Sequence, residues 1–379
     1  GIVNVFEWNG SSWTKIGNSI IGEDPFEKLG HAVAMNSNGT RLILGGLGLK
    51  QDPNGASQVY ETGWAQAYEL TGNTWVKMGQ FINGILKYDE FSSSVDINDD
   101  GTIIAIGAKK HRSIGNAPLR MGQIRIFKYN STTKLWFQLG QDIDGDNNDT
   151  ETGTALALNH DGTWLASGEP LGDRSDPGAG WSARGQVRVF QLDPTVSPDN
   201  WETHNPQWIQ RGSKFTFDPE TGAGGTYSAL VGSSVSLSNH NGAGLRLAYG
   251  SPKFWPETDG SKVHCGAVYV YEWNGSSWAQ VGSKITGDYQ ENQIGKRVSI
   301  TKDGNRIATL SGKFQWGTTS TGGYMYIYDW DGTQWVNQID TGYNYTLSLN
   351  VLTYMYSHSL SMSANGKVVM VGESEYYAE

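Results

Sequence analysis

A single cysteine, Cys265, occurs in 379 residues, so no intrachain disulfide and no cysteine-built zinc site can form. Beside the strand-opening Gly266 it reads as a small buried residue rather than a nucleophile. Charge is sparse as well: 17% of residues are charged, the net charge is −10, and no lysine or arginine run interrupts it. Phosphate backbones and anionic lipid surfaces call for a basic face, so nucleic acid is not an expected partner. No stretch approaches the roughly 18 apolar residues of a membrane-spanning helix. The chain also lacks G-x-S-x-G, H-E-x-x-H and a phosphate-binding loop, which removes the commonest local signatures of hydrolases and nucleotide enzymes.

What the chain has in excess is glycine (50) and tryptophan (15). Without a G-X-Y period the glycines do not indicate collagen; they fit many short strands joined by tight turns. The tryptophans recur in a fixed setting, Trp then Gly four positions on: Trp13-Gly17, Trp75-Gly79, Trp136-Gly140, Trp208-Gly212 and Trp278-Gly282. A sixth copy at Trp335 has Ile339 in the glycine's place. Because Trp13, Trp75, Trp136 and Trp278 recur at one repeat position, they read as structural. Ahead of each stands a glycine followed by apolar residues at every second position, as in Gly122 to Phe127, Gly185 to Phe190 and Gly266 to Tyr271. Period-two alternation marks strands with one buried face.

A third unit holds two further strands around Asn38-Gly39, Asp100-Gly101, Asp161-Gly162, Asn241-Gly242, Asp303-Gly304 and Asn365-Gly366, pairs suited to hairpin turns. Four strands in a period of roughly 60 residues describe one propeller blade. The sequence therefore predicts an all-β fold: a six-bladed β-propeller with four antiparallel strands per blade, one domain over 1–379. Its repeats open near Gly1, Gly63, Gly122, Gly185, Gly266 and Gly323. The chain starts with an outer hairpin and ends with an inner one, so the N- and C-terminal segments are expected to pair within one blade and leave no open edge. The long connections then fall on one face, the default place for a site.

The inner-hairpin units resemble FG-GAP repeats, the blade motif of integrin α-subunit propellers. The leading signature survives in Leu29-Gly30, Val231-Gly232 and Ile294-Gly295, and the trailing one in Gly107-Ala108-Lys109, Gly168-Glu169-Pro170 and Gly250-Ser251-Pro252. The resemblance implies a propeller and suggests adhesion or ligand binding outside the cell. It does not extend to the family's calcium loops: the nearest copy, Asp96 to Gly101, has no closing acid.

Trp181, Phe254, Trp255 and Trp316 on the long-loop face could stack on sugars or anchor a protein, with Arg184 and His264 beside them; packing over the blade ends is the competing reading. The acidic stretch holding Asp144, Asp146, Asn148, Asp149 and Glu151 is the one place whose oxygens suggest calcium, against a plain solvated loop. Six N-glycosylation sequons stand at Asn9, Asn38, Asn130, Asn148, Asn274 and Asn344. Together these features point to a non-catalytic, extracellular or surface-exposed module that binds a glycan or protein ligand. The alternatives are a propeller enzyme acting on a carbohydrate or ester at the channel mouth, and a self-assembling subunit of a surface filament or particle coat.

Overall fold

The computed structural model describes residues 1–23, 27–48, 62–112, 120–147, 149–172, 184–195, 206–216, 229–239, 242–256, 262–288, 290–312, 325–338 and 358–373. Every regular element among them is a strand. Two compact units divide the chain, Gly1–Thr163 with Gln191–Ile209, and Trp164–Phe190 with Gln210–Glu379.

The strands form antiparallel sheets in sequence order. The first sheet pairs β1 (Ile2–Trp8) with β2 (Trp13–Ile21). The second runs β3 (Leu29–Met35), β4 (Arg41–Gly46), β5 (Trp64–Thr71) and β6 (Thr74–Asn83). The third holds β7 (Phe91–Ile97), β8 (Ile103–Ala108), β9 (Gln123–Asn130) and β10 (Leu135–Gln138), with β11 (Ile143–Asp144) added to β9. The fourth is β12 (Ala155–Leu158), β13 (Trp164–Glu169), β14 (Gln186–Leu192) and β15 (Trp208–Gln210). Then come β16 (Ser234–Leu237), β17 (Arg246–Ser251), β18 (Ala267–Trp273) and β19 (Trp278–Gln280), with β20 (Ile285–Thr286) on β18. Next are β21 (Arg297–Ile300), β22 (Arg306–Leu310), β23 (Met325–Trp330) and β24 (Trp335–Asn337), and last the pair β25 (His358–Met362) and β26 (Val369–Glu373).

Within the first unit, β7 packs on β3 and β4, and β12 on β7 and β8; within the second, β21 packs on β16 and β17, and β25 on β21 and β22. Four-stranded up-and-down sheets stacked through their first strands are propeller blades, and the fold is an all-β propeller type. The second strands are continuously buried, as Ile103–Ala108 shows, because a sheet lies against each face. Among the described residues the opening hairpin and the closing hairpin each form a two-stranded sheet.

The Trp-Gly motif proves to be a plug and a socket on successive repeats. Trp136 donates its indole N–H to the Met78 carbonyl at 2.9 Å and lies against Gly79, where an added Cβ would come within 2.6 Å of the ring. Trp75 docks likewise on Ile16 and Gly17, and Trp208 on Leu139 and Gly140. In the second unit, Trp278 docks on Arg211 and Gly212, and Trp335 on Val281 and Gly282. Gln80 and Gln141 reinforce two of these sockets by bonding the backbone of Trp136 and Trp208. Trp13, expected to be structural like the others, is instead 48% exposed.

A second staple closes the other end of the sheets. Arg41, Arg246 and Arg306 each pair across the sheet with Glu69, Glu272 and Asp329. Each also reaches a carbonyl in the following repeat's Asp-Gly or Asn-Gly turn, at Asp100, Gly304 and Gly366. Those glycines sit flat on the arginine stems, with φ near +70° and no room for a Cβ.

Candidate functional site

The ends of the sheets from which the long connections leave are organised by one junction, bridged at four places among the described residues. The glycine that opens each third strand makes a parallel bridge to the entry of the next first strand: Gly63 to Phe91, Gly122 to Thr152, Gly185 to Val231 and Gly266 to Ile294. A Cβ on Gly63 would lie 1.9 Å from the Phe91 carbonyl oxygen, so only glycine fits. The approach segment alternates into the left-handed region: Tyr88, Glu90 and Ser92 have φ of 69°, 50° and 70°. Asp149, Glu151 and Gly153 repeat the pattern, as do Glu291, Gln293 and Gly295. Non-glycine residues held at positive φ carry strain, which clusters where a surface has to be shaped.

In the first unit these junctions are charged. Glu90 is gripped by Lys109 at 3.2 Å and by Lys110. Burial opposes its ionisation, but the lysine hydrogen bonds and charges win and hold its carboxyl below the usual range. Glu151 stands at the same junction position one repeat later; burial pushes its carboxyl up, against Lys109, Arg120 and Lys110. Beneath them Asp89 and His111 form a buried pair, Oδ2 to Nδ1 at 3.0 Å. Asp89 also accepts the Leu86 amide, and its own carbonyl accepts the Lys110 amide, which locks the lysine turn onto the junction. Ser94 donates to the Gly153 carbonyl at 2.7 Å and ties this junction to the next.

The sequence-derived ligand residues separate. Phe254 does not face a groove: it is 1% exposed, with Lys284 over its ring at 4.8 Å and its carbonyl accepting from Gly266. It holds the turn position that His111 holds in the first unit, and Ala229 stands where Asp89 does, so a bulky apolar plug replaces the polar pair. Trp255 is half-buried next to it. His264 pairs through Nδ1 with Glu291 at 2.7 Å. Arg184 lies at a different junction, where its carbonyl accepts the Val231 amide. Trp181 and Trp316 fall outside the described residues, with much of every long connection.

The acidic stretch does not converge among the described residues. Asp144 is exposed and accepts from Gln123 at 2.9 Å, Asp146 is exposed, and Asp149 accepts the Arg120 amide. Glu151 meets Lys109, Arg120 and Lys110 together with the carboxylate of Glu90, and Asn148 lies outside the described residues. No group of three or more His, Cys, Asp or Glu able to hold a metal occurs among the described residues.

The sequons coincide with turns. Asn9 and Asn274 accept two backbone amides each through Oδ1, and Asn38 and Asn130 do the same work in their own turns. Asp331 makes the identical turn with a carboxylate, held down to about 2 by the amides of Gln334 and Thr333 and the Thr333 hydroxyl. Asn148 and Asn344 are outside the described residues.

Sequence reading missed Glu90, Lys109, Lys110 and Arg120. The usable signal was the internal alignment of repeats, which puts Lys28, Glu90, Glu151, Leu230 and Gln293 at one junction position.

No protein-family model matches the chain, and no curated protein does. Among solved structures it is similar to the periplasmic gluconolactonase PpgL of Pseudomonas aeruginosa, with 11% identity over 97% of this chain and 84% of that one, at a TM-score of 0.48. The β-propeller domain of the trilobed protease from Pyrococcus furiosus gives 13% identity over 93% and 79%, at 0.45. Saccharomyces cerevisiae Sqt1 gives 11% over 83% of this chain at 0.46, and the chain spans 62% of Sqt1. Likeness this distant carries no argument about activity.

Proposed function

We propose that the chain is a six-bladed propeller, closed by β26 pairing with β1, that works as a non-catalytic binding module outside the cell or on its surface, with a glycan or protein ligand. The FG-GAP-like signatures are consistent with that reading. The observation that carries the functional reading is the charged junction of the first unit. Glu90, Lys109, Lys110, Arg120 and Glu151 are held on a backbone locked by glycine bridges and a buried His-Asp pair, so their positions are set before any ligand arrives. Intact protein on a glycan array and in pull-downs from extracellular fractions tests it. Binding that weakens tenfold or more in Lys109→Ala/Lys110→Ala supports the assignment; binding indifferent to both substitutions removes it.

A second reading is favoured by one feature: against its burial, Glu90 is held down by Lys110 and Lys109, while Glu151 is pushed up by burial, with Glu90 adding to the rise, so two carboxyls of successive junctions are moved in opposite directions, as in acid–base pairs. Hydrolysis of glycoside or ester substrates that Glu151→Gln abolishes would establish an enzyme; no turnover across both panels leaves the binding module.

A further inference from the structure

Four arginines among the described residues that leave full solvent meet a carboxylate: Arg41 with Glu69, Arg188 with Glu169, Arg246 with Glu272 and Arg306 with Asp329. Lys296 and Arg297, at the entry of β21 in the second unit, do not. Both are half-buried, and among the described residues the Arg297 side chain donates only from Nη1 to the Lys296 carbonyl, at 2.8 Å. Burial disfavours the charge on each, Arg297 further disfavours that on Lys296, and no carboxylate among the described residues compensates.

Glu291, an acid of the same junction, is already engaged. Glu291 accepts from His264 with one oxygen and from Gln293 with the other, at 2.7 and 3.0 Å. Gln293 Oε1 and the Lys296 stem both border Gly312, so the basic pair adjoins this polar chain at the loop end of the sheet. The repeats supply an internal control. Ser93-Ser94 and Ser233-Ser234 occupy the matching positions, and Ser94 and Ser234 bond the Gly153 and Gly295 carbonyls. The fold is thus satisfied by two small hydroxyls here, and two adjacent cations are not needed for folding. A half-buried pair of like charges without a counter-ion is costly unless something anionic meets it.

We infer that Lys296 and Arg297 form a binding site for an oxyanion, the carboxylate, sulfate or phosphate group of a ligand. Arginine offers the planar fork that such groups accept, and the lysine adds a second positive charge on a mobile stem. The site does not rest on the charged junction of the first unit.

Thermal unfolding and titration calorimetry of the whole chain in sulfate, phosphate or acetate, against chloride at equal ionic strength, provide the test. The double variant Lys296→Ser/Arg297→Ser carries the residues that other repeats use. Wild type is expected to bind an oxyanion at least tenfold more tightly than the variant, and to gain several degrees that the variant does not. General salt effects on folding are common to both proteins and cancel. Glucuronate compared with glucose distinguishes a sugar-borne carboxylate from a free inorganic ion. Equal responses of wild type and variant, or no oxyanion binding by wild type, overturn the site. Should the double variant not fold, Arg297→Gln alone has to show the same loss.

Discussion

Trp136 and Trp13 open the same strand of the repeat, yet the first is 2% exposed and the second 48%. Their own strands do not explain this: each packs on the aromatic across its hairpin, Tyr129 at 5.2 Å and Trp8 at 5.6 Å. The difference lies in the repeat before. Trp136 enters a socket formed by Met78, Gly79 and Gln80, while Trp13 enters no such socket among the described residues. Plug and socket are written on different repeats, so burial of each tryptophan is decided by its neighbour.

Breaking the plug is the largest effect. Trp136→Ala should cost about 3–5 kcal/mol, and Trp13→Ala less than about 1 kcal/mol; urea midpoints of the two variants measure the gap, and equal losses would refute it. Next comes the socket. Gly79→Ala places a methyl 2.6 Å from the indole at φ +73°, whereas Gly39→Ala, at φ +74°, meets only the Met35 sulfur at 3.7 Å. Backbone strain is common to both, about 1–2 kcal/mol, so the additional loss in Gly79→Ala, about 1–3 kcal/mol, isolates the socket.

A smaller effect sharpens the comparison between blades. Asp96 accepts the amide of Leu158 in the next first strand, a task Ser236 and Ser299 perform for Ile300 and Met362. Burial pushes the Asp96 carboxyl up from 3.8 to about 6, against its two backbone hydrogen bonds. The folded chain therefore holds this proton more tightly than the unfolded one. Its contribution is greatest below about pH 4, declines as pH rises to about 6 and is flat above. Asp96→Ser should erase that slope and stabilise the protein at pH 7.5 by about 2 kcal/mol, read from urea unfolding at pH 4 and 7.5. Smallest of all, Asn274→Asp should change stability by less than about 0.5 kcal/mol, since Asp331 builds the same turn.

The strands and their turns were legible because each is a local matter: Gln186–Leu192 forms the strand its alternating sequence announces, although it is buried nearly throughout, and Asp100-Gly101 makes the turn its sequence announces. The candidate site was legible only in part. His264 pairs with Glu291 at a junction, Phe254 is core, and nothing near Glu90 in sequence shows that Lys109 and Lys110 close on it. Those lysines leave a turn that Asp89 fixes from twenty residues away, and such a contact has no period to read.

By itself, then, the sequence determined a repeating β fold, since period-two alternation and Gly-rich turns are dictated by backbone sterics one hairpin at a time. Only the tertiary structure decided which tryptophan is covered, which carboxylate is neutralised, and which cations go unanswered. Those outcomes depend on the face that one repeat presents to the next, where residues some sixty positions apart meet at van der Waals distance.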